Sequence, residues 1–151
     1  MPYAQGGIKR LVPLGKTLMC YMENALFVGL PSNDVNLPVA FQRYETGGRG
    51  LAGPRAICSW GDKHFLAMQD NLYSFSLQEG LKPIGDRIAR KAMQAANEDF
   101  FWKIRVAADV RNRCILFEDC KSYIMEFFLF HKVNSPVIII IIQIGGMIDN
   151  S

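Results

Sequence analysis

Histidine is scarce in this chain, and the scarcity excludes more than any motif present. His64 and His131 stand beside four cysteines, at 20, 58, 114 and 120, that show no Cys-x-x-Cys spacing, so no zinc set can be drawn from the sequence. The cysteines read as reduced, mostly buried thiols. Neither histidine has a recognisable Ser or Cys and Asp arrangement around it, and the sequence is read as a non-enzyme without a cofactor. A dominant charge sign is lacking too. Lys and Arg number 17 against 14 acidic residues, scattered along the chain, and this net +3 does not by itself argue for nucleic acid. Met1 to Gly7 lacks the basic segment and apolar stretch of a secretory signal, so synthesis and folding in a cytosol are expected. The apolar run Val137 to Ile144 is interrupted by Gln143 and stops at Gly145-Gly146, well short of the ~20 residues of a spanning helix. Its consecutive isoleucines favour a buried strand, because an apolar strand left uncovered is an aggregation site.

What is present is an internal echo. Laid without a gap against the segment 46 residues later, Gly15 meets Gly61, Met19 meets Phe65, Cys20 meets Leu66, Met22 meets Met68, Glu23-Asn24 meets Gln69-Asp70, and Leu26-Phe27 meets Leu72-Tyr73. Each copy reads as apolar strand, polar turn, apolar strand. A period of ~40–50 residues built from short strands is that of a β-propeller blade. A fainter third copy runs from Val106 to Phe127 through Arg113 to Phe117 and Tyr123 to Phe127. The expected fold is mainly β, a partial propeller of two to three antiparallel blades at about 8–44, 54–85 and 102–130 within a domain of residues 1–135. Residues 136–151 are set apart as an apolar strand and short tail. Within this frame Pro31-Ser32-Asn33-Asp34 is read as a turn and Pro38 to Tyr44 as a strand. Asp86 to Phe101 is read as an amphipathic helix, with Ile88, Ala89, Ala92, Met93, Ala96 and Phe100 on one face and Asp86 as N-cap.

Gly48-Arg49-Gly50-Leu51-Ala52-Gly53 fits the G-x-G-x-x-G expression of dinucleotide sites, but Pro54 follows and no helical pattern opens there, so a turned connection is expected instead. The neighbouring carboxylates Glu98-Asp99 and Glu118-Asp119 read as solvated charge, since adjacent side chains diverge on either a strand or a helix. Arg43, Arg49, Arg55 and Lys63, with Lys82 and interleaved by Tyr44, Trp60 and Phe65, are the candidates for contact with a DNA backbone or a partner. The competing reading is that these long side chains cover the flanks of a sheet while reaching water.

Several phrases in order carry a resemblance. Ile8 to Gly15, Leu18 to Tyr21, Ala25 to Val28, Gly50 to Ile57, Gly61 to Leu66, Asn71 to Phe75, Lys82 to Ile88 and Val106 to Arg113 follow one another as in a propeller unit of phage tail proteins. The succession is similar to the tail nozzle, or tail tubular protein B, and related head-to-tail stabilisation β-propellers of short-tailed bacteriophages. The resemblance implies a structural virion protein made in the host cytoplasm, joined in a ring with itself and with other tail or connector proteins around the DNA exit channel, with no enzymatic activity and no membrane anchor. A cellular propeller-type interaction scaffold is the alternative. The family's further blades are replaced here by Ser135-Pro136 and the isoleucine run. Two or three blades are fewer than the ~4–8 that close a propeller, so apolar edges are left to cover. The isolated chain is therefore expected to self-associate or to be poorly soluble, and a monodisperse monomer in sedimentation at micromolar concentration is the contrary result.

Overall fold

A computed structural model describes residues 6–85, 90, 93, 98–109, 111, 114–118, 123–128 and 138–143. Three four-stranded antiparallel sheets follow one another along the chain, each an up-and-down meander in sequence order. The first comprises β1 (Ile8–Leu14), β2 (Thr17–Met22), β3 (Leu26–Asp34) and β4 (Leu37–Tyr44). The second comprises β5 (Ile57–Trp60), β6 (Lys63–Ala67), β7 (Leu72–Ser76) and β8 (Gly80–Pro83). The third comprises β9 (Arg105–Asp109), β10 (Cys114–Glu118), β11 (Tyr123–Phe128) and β12 (Ile138–Gln143). No closed barrel or propeller is formed by the described sheets.

The echo in the sequence is an echo in hydrogen-bond register. Leu14 pairs with Thr17 across the first hairpin and Trp60 with Lys63 across its counterpart. The two-residue loops between them, Gly15-Lys16 and Gly61-Asp62, both begin in the left-handed region, at φ 61° and 62°. Glycine suits that position because a two-residue hairpin matched to strand twist needs positive φ there. Further in, Tyr21 pairs with Leu26 and Cys20 with Phe27, as Ala67 pairs with Leu72 and Leu66 with Tyr73. The turns between these strands close alike: the Met22 amide donates to the Ala25 carbonyl at 2.9 Å, and the Met68 amide to the Asn71 carbonyl at 3.0 Å. Corresponding residues thus occupy corresponding ladder positions.

One apolar cluster runs through all three sheets. Leu14, Met19, Tyr21 and Leu26 of the first join Phe65, Leu66, Leu72 and Phe75 of the second and Val106, Ile115 and Phe117 of the third. Burial of each such side chain contributes about 1.5–3 kcal/mol. The connection from β4 to β5 is built into the same structure. The Leu51 amide donates to the Met22 carbonyl and the Ala52 amide to the Ala67 carbonyl, both at 3.0 Å, so consecutive residues tie the first sheet to the second. The Val106 amide continues the series to the Arg55 carbonyl at 2.9 Å.

This connection accounts for the glycines of the G-x-G-x-x-G match. Gly48 turns at φ 77°, while a Cβ on Gly50 would lie 2.2 Å from the Met22 carbonyl oxygen, and one on Gly53 would lie 2.4 Å from that of Phe101. Gly50 and Gly53 let backbone approach backbone, Gly48 serves the turn, and no helix follows them.

Two expectations need correction. Pro31-Ser32-Asn33-Asp34 is part of β3, and the hairpin turns at Val35-Asn36, where the Asp34 carboxylate accepts the Asn36 amide at 2.9 Å. The turn-forming residues instead produce a shift of register between Pro31 and Asp34, as expected where proline withholds a ladder donor. In the second sheet Leu77 lies in the turn after β7, and the fourth strand, Gly80–Pro83, follows it. Finally, an α-helix over 86–101 is not shown: Arg90 and Met93 have helical backbone, the rest of 86–97 lies outside the described residues, and Glu98–Lys103 is a 3-10 helix. Two phenylalanines and a tryptophan in succession are modest helix formers. The tighter coil ends with the Ile104 amide bonded to the Phe101 carbonyl at 3.1 Å and sets Phe101 and Ile104 into the core.

The isoleucine run forms β12, paired with β11 from Phe128 opposite Ile138 to Tyr123 opposite Gln143. Its expected burial, along with Cys120, His131 and Ser135-Pro136, lies outside the described residues. Among the described residues, no helix is long and apolar enough to cross a membrane.

Gly50 and Gly48 separate close approach from turn geometry. Gly50→Ala is expected to cost more than about 3 kcal/mol, because backbone must move. Gly48→Ala, which meets nothing within 4 Å, is expected to cost about 1–2 kcal/mol for its left-handed φ. Urea unfolding of both variants measures the difference, and equal losses would refute the close-approach account.

Candidate functional site

Two sets of hydrogen-bonded side chains lie along the seam between the first two sheets. His64, on β6, is fully buried with Tyr21, on β2, against it. Its Nε2 lies 3.0 Å from the Pro13 carbonyl oxygen and its Nδ1 lies 2.8 Å from the Tyr21 hydroxyl. A carbonyl only accepts, so Nε2 carries the proton and Nδ1 accepts from Tyr21. The neutral ring satisfies both neighbours. Burial holds the imidazole below its usual pKa, with the Pro13 bond opposing in part. Burial likewise pushes the Tyr21 phenol well above its usual value. Both groups stay uncharged near neutral pH, and the pair acts as a specific pin between sheets.

A second polar group closes the rim of the seam. The Arg49 guanidinium, in the glycine-rich connection, donates to Asp70 Oδ2 at 2.6 Å and to the Tyr73 hydroxyl at 2.9 Å, while its Nε donates to the Thr46 carbonyl at 3.0 Å. Tyr73 in turn donates to Asp70 at 2.9 Å. Arg49 lies over the Tyr73 ring, 5.9 Å from its centroid. Burial and the Asp70 bond together push the Tyr73 phenol to about 12. Thr46 completes the clasp by donating to the Arg49 carbonyl at 2.6 Å. Its exposed ion pair stabilises by at most about 1 kcal/mol, so the geometry it imposes on the loop is its larger effect.

Nearby, equivalent turns of the first two sheets meet. The Gln69 side chain donates to the backbone carbonyl of Glu23, its own counterpart in the repeat, at 3.1 Å. Around this contact lies a cleft of about 400 Å³ lined by Lys9, Glu23, Asn24, Gln69, Phe101 and Trp102, with Leu51 and Ala52. Trp102 is 54% exposed, and the Lys103 ammonium sits 5.3 Å from its ring centroid. An exposed aromatic surface thus lies beside amide and carboxylate groups in this cleft.

The basic residues singled out in the sequence are spread over the molecule. Arg43, on β4, pairs with Phe27 on the side of the first sheet away from the second. Arg55 is exposed in the connection that reaches the third sheet. Arg49 is held at the Asp70 end of the second sheet. Lys63, at the other end of β6, pairs with Glu79 at 2.6 Å, and Lys82 approaches the same carboxylate at 3.4 Å. Lys63, and then Lys82, hold that carboxyl below the usual range. Two of the four candidates are thus engaged by carboxylates.

Cys20 is buried and Cys58 half-buried, both as free thiols. Burial pushes Cys58 to about 12 and also raises Cys20, which leaves both protonated and unreactive. Among the described residues, no group of three or more His, Cys, Asp or Glu could hold a metal ion. The side chains of Glu98, Asp99, Glu118 and Asp119 lie outside the described residues. Sequence reasoning missed Tyr21, Thr46, Asp70 and Tyr73 as seam residues. The signal available for Asp70 and Tyr73 was their place in the repeat, opposite Asn24 and Phe27, where polar groups replace less polar or apolar ones. No family model and no curated protein matches the chain.

His64 makes the seam acid-sensitive. Its folded pKa lies below the unfolded value of about 6.5, so the unfolded chain takes up the proton first; the stabilising effect is complete above that value and is lost as pH falls through the folded pKa. Urea unfolding is expected to show stability declining below about pH 6.5. In His64→Leu that part of the decline is expected to flatten, with a loss of roughly 1–3 kcal/mol at neutral pH from the unpartnered Tyr21 hydroxyl and Pro13 carbonyl. An unchanged acid slope in the variant would remove His64 as the cause.

Proposed function

We propose that the chain is a structural virion protein of a short-tailed phage, a partial β-propeller in the tail or head-to-tail connector that assembles around the DNA exit channel. The observation that carries the reading is the succession of four-stranded antiparallel meanders, the first two in the same register 46 residues apart. A meander of four strands is the unit of a propeller blade, and stacked blades share one continuous core. The core through all three sheets and the amide bonds from Leu51, Ala52 and Val106 support stacking in that manner. The ordered phrases from Ile8 to Arg113 direct the propeller reading to phage tails.

In this role the chain works by fitting against copies of itself and other tail proteins. Arg55, exposed in the connection to the third sheet, is the candidate for contact with passing DNA phosphates, because Arg49 and Lys63 are already engaged by carboxylates and Arg43 lies among the apolar residues of the first sheet's outer face. Such contact is non-specific and weakens with salt.

Negative-stain electron microscopy of the full chain, with mass photometry, tests the proposal. Rings or oligomers of cyclic symmetry are the expected result. A compact monomer would overturn it in favour of an interaction scaffold.

A further inference from the structure

Both faces of the first sheet are apolar, yet only one has another described sheet against it. Ladder pairs place Leu14, Met19, Tyr21 and Leu26 on the face that joins the common core. The opposite face carries two rows across the four strands: Leu11, Cys20, Phe27 and Arg43 in one, and Pro13, Leu18, Gly29 and Phe41 in the other. Arg43 is the sole charge in these rows. Cys20 and Phe27, with Met22 and Ala25, make a small cluster separate from the main core. Leu11 remains 51% and Phe41 38% exposed, and Ile8 beside Met22 is 56% exposed. Gly29 deepens the face, since a Cβ there would meet Phe41 and Val39 side-chain atoms at 2.9 Å; the bare backbone leaves room for the Phe41 ring.

The repeat says what such a face is for. Moved on by 46 residues, Leu11, Cys20 and Phe27 become Ile57, Leu66 and Tyr73, while Pro13, Leu18 and Gly29 become Ser59, His64 and Phe75. That is the face the second sheet lays against the first. His64 bonds Tyr21 and Pro13 there, and Phe75 meets the Tyr44 ring edge-on at 5.3 Å. At these ladder positions Ile57 and His64 of the second sheet are buried against the first, whereas Leu11 of the first sheet is half-exposed and Leu18 only partly buried, with Cys20 and Phe27 already buried in their small cluster.

We infer that the open face of the first sheet receives a sheet from a second copy of this chain, extending the seam already made between the first and second sheets. This rests on the assembly reading above and names the surface that performs it. The occupant follows from continuity: the required partner is a four-stranded sheet offering its apolar inner face, and every copy carries sheets stacked in the same order. Because the two copies contribute different surfaces, the contact is heterologous and closes into a ring or propagates as a filament. Leu11 on β1 and Phe41 on β4, apolar and partly exposed on the two outer strands of the face, are its anchors.

Sedimentation velocity of the full chain over a range of concentrations tests this with Leu11→Glu/Phe41→Glu and, as control, Val35→Asp at the 94% exposed tip of the β3–β4 hairpin. The wild type and control are expected to associate alike, and the double variant to dissociate with a constant raised on the order of 100-fold. Circular dichroism reports whether the variant keeps its β signal; if it does not, the single Leu11→Glu change at a half-exposed site makes the same comparison. Oligomers that persist in the folded variant would overturn this surface and leave the assembly reading standing. A wild-type monomer throughout would overturn both. Pairs that separate in the variant but never form rings would uphold the surface and count against the tail-connector role.

Discussion

Two antiparallel sheets can stack on apolar faces in many registers, and the seam between the first and second sheets has to select one. Leu, Met and Phe side chains supply attraction without direction. Direction comes from His64, which is placed where one ring nitrogen reaches a backbone carbonyl and the other a phenol, both on the first sheet. A slip of one residue would reverse the faces of a strand and leave those polar groups buried without partners. The rest of the structure follows from that setting. The Leu51–Ala52 backbone bridges the two sheets only at this spacing, and the Arg49–Asp70–Tyr73 clasp closes over the same rim.

Much of the fold was legible because the repeat is carried by residues with a direct structural meaning. Gly15 and Gly61 mark left-handed turn positions, and the short apolar runs on either side mark strands. Where residue type and structure parted, tertiary pairing had overridden local preference. Pro31 to Asp34 has turn-forming composition but lies in a strand, because its partner strand extends past it and a register shift accommodates the proline. Gly80 to Pro83 has little strand character of its own and is strand through pairing with Tyr73 to Ser76.

The seam was harder to see. His64 and Tyr21 are 43 residues apart, and nothing local to either announces the other. Arg49 was conspicuous as a basic residue, whereas its engagement by Asp70, 21 residues on, depends on the path of the intervening chain. Basic side chains in a sequence thus overstate the charge left for a partner. The repeat offered the better guide, since His64 takes the place of Leu18 and Tyr73 that of Phe27 in otherwise similar strands. Polar substitution at an equivalent apolar position marks where one sheet must recognise another.

The connection between β4 and β5 has a consequence of a different kind. Its ends are fixed by Tyr44 and Ile57, and its middle is bonded to both neighbouring sheets through Leu51 and Ala52. A segment held in this way has no slack, so it works as a gauge block, setting the tilt of one sheet against the next. Insertions and deletions ought then to be distributed unevenly through descendants of this sequence. The hairpin tip at Val35-Asn36, exposed and remote from the seam, is free to vary in length, whereas a change of one residue between Thr46 and Gly53 would alter the curvature of the whole stack.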